Sequence, residues 1–67
     1  MPFSEIARAL AEDPAFRRDL TARLQARTVD ADIMDRLIAY ARSRQATTGQ
    51  AMARKVLTDA GVSWEAL

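Results

Sequence analysis

Apolar residues recur at helical spacing in the first third of the chain. Phe3, Ile6 and Leu10 share one side of a predicted helix over residues 4–12, for which Ser4 is a suitable N-cap. Asp13 and Pro14 then form a start signal, because aspartate caps a helix and proline is tolerated in its first turn. These signals predict two consecutive helices with a short break between them.

The second segment, residues 15–26, contains two apolar faces. One face is a ridge of large residues, made by Phe16, Leu20 and Leu24. The other face is made by small residues, namely Ala15, Ala22 and Ala26. Residues 21–27 also alternate apolar and polar positions with the period of a β-strand. We favour a helix here because of the Asp-Pro start and the ridge, and we keep a strand as the alternative.

The third segment begins near Asp30. Val29 and Met34 are spaced for a hydrophobic staple around this cap. The predicted helix has the broadest apolar face in the chain, made by Ile33, Met34, Leu37, Ile38, Tyr40 and Ala41.

The fourth segment begins at Thr47 or Thr48, where Thr47 and Gln50 have the spacing of a capping box. Gly61 predicts a C-cap after Ala60, and we expect Trp64 to fold back onto the bundle. The predicted buried face consists of Met52, Ala53, Val56, Leu57 and Ala60. Because the connections are short, the fold class we predict is all-α, a single domain over residues 1–67 built as a small bundle of four short antiparallel helices.

The composition limits how so short a chain is stabilised. Its 67 residues contain neither cysteine nor histidine, so disulfides and zinc sites of the usual kinds are excluded. Stability must come from helix packing, from a partner or from self-association. The small-residue face of the second helix makes a homodimer the oligomer we expect.

The same composition argues against catalysis. General acid–base work requires a group that titrates near neutral pH, and no serine or threonine has a histidine to activate it. Asp30, Asp32 and Asp35 cluster, but acids in a first helical turn are explained by the helix dipole. We therefore expect no enzyme activity, no cofactor, no metal and no small-molecule substrate.

Residues 1–10 lack the apolar run of a signal peptide, and no stretch reaches the roughly 18 apolar residues of a membrane span. We expect a cytoplasmic protein without membrane contact. Nine of the ten basic residues are arginine, and alanine is abundant, which is typical of a GC-rich bacterial or phage genome.

Arginine is suited to bidentate contacts with carboxylate or phosphate. Three aspartates are spaced to pair with arginines four residues on: Asp13 with Arg17, Asp19 with Arg23, and Asp32 with Arg36. The candidates for contacting a protein partner are therefore arginines without such neighbours and large side chains near the surface, namely Arg42, Arg44, Tyr40, Trp64 and Phe3.

If residues 23–27 are a strand, the sequence over about residues 23–60 resembles the ribbon-helix-helix repressors and antitoxins. The segments that carry the resemblance are Arg-Leu-Gln-Ala-Arg at 23–27, a capped helix over 30–44, and Gln-Ala-Met-Ala-Arg-Lys-Val-Leu at 50–57. The resemblance implies a dimer with an N-terminal helical extension, whose paired strands lie in the DNA major groove. It makes DNA-binding candidates of Arg23, Gln25, Arg27, Thr47, Thr48 and Arg54.

The sequence thus predicts a small regulatory protein of bacterial or phage type that binds another macromolecule. Our leading hypothesis is an adaptor or inhibitor that binds a protein partner through a helical surface. The alternative is a dimeric DNA-binding repressor or antitoxin. A helix over residues 21–27 favours the first, and a strand there favours the second.

Overall fold

A computed structural model of the chain describes residues 2–65. They form four α-helices: α1 (Phe3–Glu12), α2 (Pro14–Gln25), α3 (Ala31–Arg42) and α4 (Thr48–Asp59). There is no strand within residues 2–65. The predicted all-helical bundle is confirmed, and the strand kept as an alternative for residues 23–27 is wrong.

The last helix, α4, is the centre of the bundle. It packs against α1, α2 and α3, whereas α3 packs mainly against α4. Leu10, Leu37 and Leu57 have no exposed surface, and they bring α1, α3 and α4 together. The remaining buried apolar residues are Ile6, Leu20, Leu24, Ala41, Ala53 and Val56.

Side-chain caps begin three of the helices. The Asp13 carboxylate accepts hydrogen bonds from the backbone N–H groups of Ala15 and Phe16, at 3.0 and 3.2 Å. Asp30 accepts from Asp32, and Thr47 Oγ1 accepts from Gln50. These three caps are confirmed, because each satisfies an N–H group that has no partner inside its helix.

The predicted Ser4 cap is wrong. The first helix begins one residue earlier, at Phe3, and Pro2 occupies the N-cap position without a side-chain hydrogen bond. Proline has no side-chain acceptor for the free N–H groups of the first turn, but its backbone carbonyl accepts a hydrogen bond from the Glu5 N–H at 3.0 Å. Ser4 consequently lies inside the first turn and is exposed.

A glycine ends α4 as predicted. Gly61 has φ +78°, and Val62 N–H donates to the Leu57 carbonyl at 2.8 Å while Gly61 N–H donates to Thr58 at 3.0 Å. These two bonds form a Schellman motif.

The same pair of bonds ends α2, but without a glycine. Thr28 N–H donates to the Arg23 carbonyl and Arg27 N–H to the Leu24 carbonyl, with Arg27 at φ +58°. An arginine therefore occupies a backbone conformation that favours glycine.

A glycine also lies where α1 crosses α4. A Cβ atom on Gly49 would stand 2.8 Å from the Ala7 carbonyl oxygen and 2.5 Å from Tyr40 Oη. Both distances are shorter than a van der Waals contact, so this close approach requires glycine.

Of the three predicted ion pairs, one forms. Arg23 Nε lies 2.8 Å from Asp19 Oδ2, on the exposed side of α2. Within residues 2–65, Asp13 does not pair with Arg17, nor Asp32 with Arg36. The guanidinium of Arg17 instead donates to the Leu10 carbonyl at 2.7 Å.

None of the helices in the described part of the chain is both long enough and apolar enough to span a membrane.

Candidate functional site

The aromatic candidates Phe3 and Tyr40 hold the bundle together. Their rings meet edge to face, with centroids 5.4 Å apart, and both residues are half-buried. Tyr40 Oη is 2.9 Å from Thr47 Oγ1, the hydroxyl that caps α4. These contacts connect the start of α1, the last turns of α3 and the start of α4, which gives all three side chains a structural role.

Trp64 folds back onto α4, as predicted. Its indole N–H donates to Thr58 Oγ1 at 3.0 Å, and its ring centroid is 4.9 Å from the guanidinium carbon of Arg54. Arg54 Nε also donates to the Ala41 carbonyl at 2.7 Å. Arg54 therefore satisfies a carbonyl at the end of α3 while it stacks on the tryptophan.

Gln50 completes the end of α3, a role that the sequence did not indicate. Its side chain is almost fully buried, at 3% exposure. The amide nitrogen donates to the Ser43 and Ala41 carbonyls, and the amide oxygen accepts from Ala46 N–H at 3.0 Å. In a capping box the Gln50 side chain would accept a hydrogen bond from the N–H of Thr47. Here it accepts from the N–H of Ala46, one residue earlier.

Arg42 and Arg44 are exposed, one in the last turn of α3 and the other just after it. They lie near the end of α3 that Gln50 and Arg54 satisfy. Of the five candidates for protein contacts, Phe3, Tyr40 and Trp64 make contacts within the bundle, whereas Arg42 and Arg44 are exposed near the end of α3.

The DNA-binding candidates do not lie on one element either. Arg23 and Gln25 are in the last turn of α2, and Arg27 follows that helix. Thr47 caps α4 and Thr48 is its first, exposed residue. Without the strand, the three side chains at 23, 25 and 27 no longer share the face that strand alternation would give them.

An apolar cleft lies between α2 and the start of α3, with a volume of about 390 Å³. Buried Ile6 and Leu20 form its floor, and partly buried Phe16, Val29 and Ile33 form its apolar walls. Its rim is polar and exposed, and consists of Asp19, Arg23, Thr28 and Asp30. We call this surface the apolar cleft.

A second depression continues the apolar cleft toward the end of α4. The apolar cleft and this depression share Val29, and the depression is also lined by partly buried Met34 and Val62. Arg27 is the charged residue that lines the depression. The cleft and the depression together form a run of partly buried apolar side chains from α2 to the loop after α4, bordered by charged residues.

Sequence reasoning assigned these cleft residues to the core. Phe16 belonged to the ridge of the second helix, Ile33 to the broad face of the third, and Val29 to the staple. The sequence signal that could have indicated a cleft was the width of the apolar face of α3. A single neighbouring helix covers a narrower stripe than this face presents. Since α3 packs mainly on α4, part of its face stays open.

In residues 2–65, no group of three or more acidic side chains is placed to hold a metal ion, so the cluster at Asp30, Asp32 and Asp35 gives no such site.

No protein-family model matches the sequence, and no curated protein or solved structure shows significant similarity to it.

Proposed function

We propose that this chain is a non-catalytic regulatory domain, an adaptor or inhibitor, whose apolar cleft binds an amphipathic helix of a protein partner. The observation that carries the proposal is the apolar cleft itself, in which the partly buried side chains of Phe16, Val29 and Ile33 surround a buried apolar floor. A groove between two helices is the common receptor for an amphipathic helix, whose apolar face fills it.

The polar rim supports this kind of occupant. Apolar anchors at the centre and charged residues at the border are the usual arrangement of a protein interface. The rim has two carboxylates, on Asp19 and Asp30, and one cation, on Arg23. Because Arg23 is paired with Asp19, the partner helix that fits best has a lysine or arginine beside Asp30.

The abundance of arginine and alanine supports a GC-rich bacterial or phage source, and the cytoplasm remains the proposed location. The DNA-binding alternative is not carried forward, because it depended on a strand over residues 23–27 and those residues are helix and turn.

The test is selection from a displayed library of helical peptides. We expect the selected sequences to have apolar residues at helical spacing and a flanking lysine or arginine. Ile33→Asp introduces a charge into the cleft wall and should abolish their binding. Ala39→Asp, at an exposed position of the same helix outside the cleft, is the matched control and should bind normally. Equal binding by both variants would contradict the proposal.

A second copy of the chain is the competing occupant, since a homodimer is also expected from the sequence. Sedimentation of the isolated chain separates the two possibilities. A monomer at the concentrations used for peptide binding agrees with a cleft open to a partner helix. A dimer that Ile33→Asp dissociates and Ala39→Asp leaves intact would show that a second copy covers the cleft, and would overturn the proposal.

A further inference from the structure

A groove separate from the apolar cleft and its neighbouring depression lies on the other side of α2, between α2 and α4. Its volume is about 410 Å³. Three cationic side chains line it, from Arg17, Arg18 and Lys55, and one carboxylate, from Asp59. Three positive charges and one negative charge give this basic groove a net charge of +2. The whole chain has a net charge of only +1, so the excess of positive charge is concentrated here.

The three cations differ in how they are held. The half-buried Arg17 side chain is fixed by its hydrogen bond to the Leu10 carbonyl, 2.7 Å long. Lys55 Nζ lies 3.3 Å from the Asp59 carboxylate, in a pair whose side chains are 62% and 49% exposed. Arg18 is exposed and makes no ion pair within residues 2–65. An incoming anion would therefore find one free guanidinium and one weakly paired ammonium group.

Between these charges the groove has apolar surface, contributed by Pro14, Ala22 and Val56. An acidic peptide with apolar side chains can use both features, because its carboxylates face the cations while its apolar groups lie against Ala22. A nucleic acid gains from the cations alone and makes no use of the apolar surface, and the Asp59 carboxylate opposes either anion.

We propose that the basic groove binds an acidic peptide segment of a partner protein, whose carboxylates pair with Arg18 and Lys55. This inference goes beyond the proposed function, because it concerns a different surface. The groove uses one side of α2, with Arg18 and Ala22, and the apolar cleft uses the side with Phe16 and Leu20. Either surface can therefore fail its test without affecting the other.

The probe is a short fluorescein-labelled peptide of glutamate, leucine and alanine, followed by fluorescence anisotropy with the full chain. The same peptide with glutamine in place of glutamate is the ligand control and should not bind. We expect binding of the acidic peptide to weaken as salt is raised. Arg18→Glu should weaken it about tenfold or more, because it replaces an attraction by a repulsion.

Arg36→Glu is the matched protein control. Arg36 is exposed on α3 and makes no ion pair within residues 2–65. Its replacement by glutamate changes the net charge of the chain by the same amount as Arg18→Glu. It should leave the affinity within about twofold of the original, since it lies outside the groove. An equal loss in both variants would show attraction to the whole chain and would overturn the proposal.

Asp59→Asn supplies a test in the opposite direction. Among the described residues it removes the one carboxylate that lines the groove, and it frees Lys55, so the acidic peptide should bind a few times more tightly. Lys55→Gln should weaken binding and replaces Arg18→Glu if circular dichroism shows that the latter is unfolded. Failure of the acidic peptide to bind, or tighter binding of duplex DNA that Arg18→Glu removes, would overturn the proposal.

Discussion

Gly49→Ala tests how closely α1 and α4 approach each other. Taken alone, helix propensity favours alanine over glycine by about 1 kcal/mol. The added Cβ atom, however, would lie 2.8 Å from the Ala7 carbonyl oxygen and 2.5 Å from Tyr40 Oη. The carbonyl belongs to the backbone of α1, so relief requires the two helices to separate, and overpacking of this kind costs about 1–3 kcal/mol. We expect a net loss of up to about 2 kcal/mol.

The measurement is urea and thermal denaturation of the two proteins. For a domain of this size, each kcal/mol corresponds to roughly 4–8 °C in melting temperature. Tyr40→Phe provides the second half of a double-mutant cycle, because it removes the Oη atom that the new Cβ would meet. By itself it should cost about 1 kcal/mol through the lost contact with Thr47, and less when Gly49→Ala is also present. A Gly49→Ala protein more stable than the original by about 1 kcal/mol, the gain from helix propensity alone, would show that the helices are not in close contact there.

Four further substitutions have effects that denaturation can measure. Leu37→Ala removes a fully buried side chain and should cost about 2–5 kcal/mol, so a wild-type melting curve would contradict its position in the core. Gly61→Val should cost about 1 kcal/mol or more, through the backbone alone, because a Cβ there has open space but φ is +78°. Arg27→Gly should stabilise by about 0.5–1 kcal/mol, and any loss would argue against the left-handed conformation. Gln50→Leu should cost about 1–3 kcal/mol because Ala46 N–H loses its partner, and an unchanged midpoint would refute that role.

The starts of α2, α3 and α4 were predictable because their signals are local. Asp13, Asp30 and Thr47 are each followed by an apolar-periodic segment, and each side chain caps the N–H groups two or three residues later. The same holds for Gly61, whose lack of a Cβ atom suits the left-handed end of α4. These features depend on residues within a few positions of one another, so they can be recognised without knowing the tertiary fold.

The end of α2 was ambiguous because its signal is missing. Arg27 has the left-handed conformation usually given to glycine, and nothing in the sequence distinguishes it from an arginine that alternates along a strand. Tertiary packing decides between the two, because Leu20 and Leu24 are buried whereas Ala22, which a strand would place on the same face, is exposed. The role of the Gln50 side chain at the end of α3 was missed for a similar reason. Its partners at Ala41 and Ser43 are in the preceding helix and turn, and their proximity depends on how α3 packs on α4.

The apolar cleft follows from the central position of α4. That helix packs against all three others, so α3 has one main neighbour although its apolar face is broad enough for more than one. Val29, just before α3, and Ile33, in its first turn, consequently stay only partly buried opposite Phe16 of α2. Closing the cleft would require another helix beside α2 and α3. A partner's amphipathic helix would supply that element, and its apolar residues would complete a core that a chain of 67 residues can only partly bury.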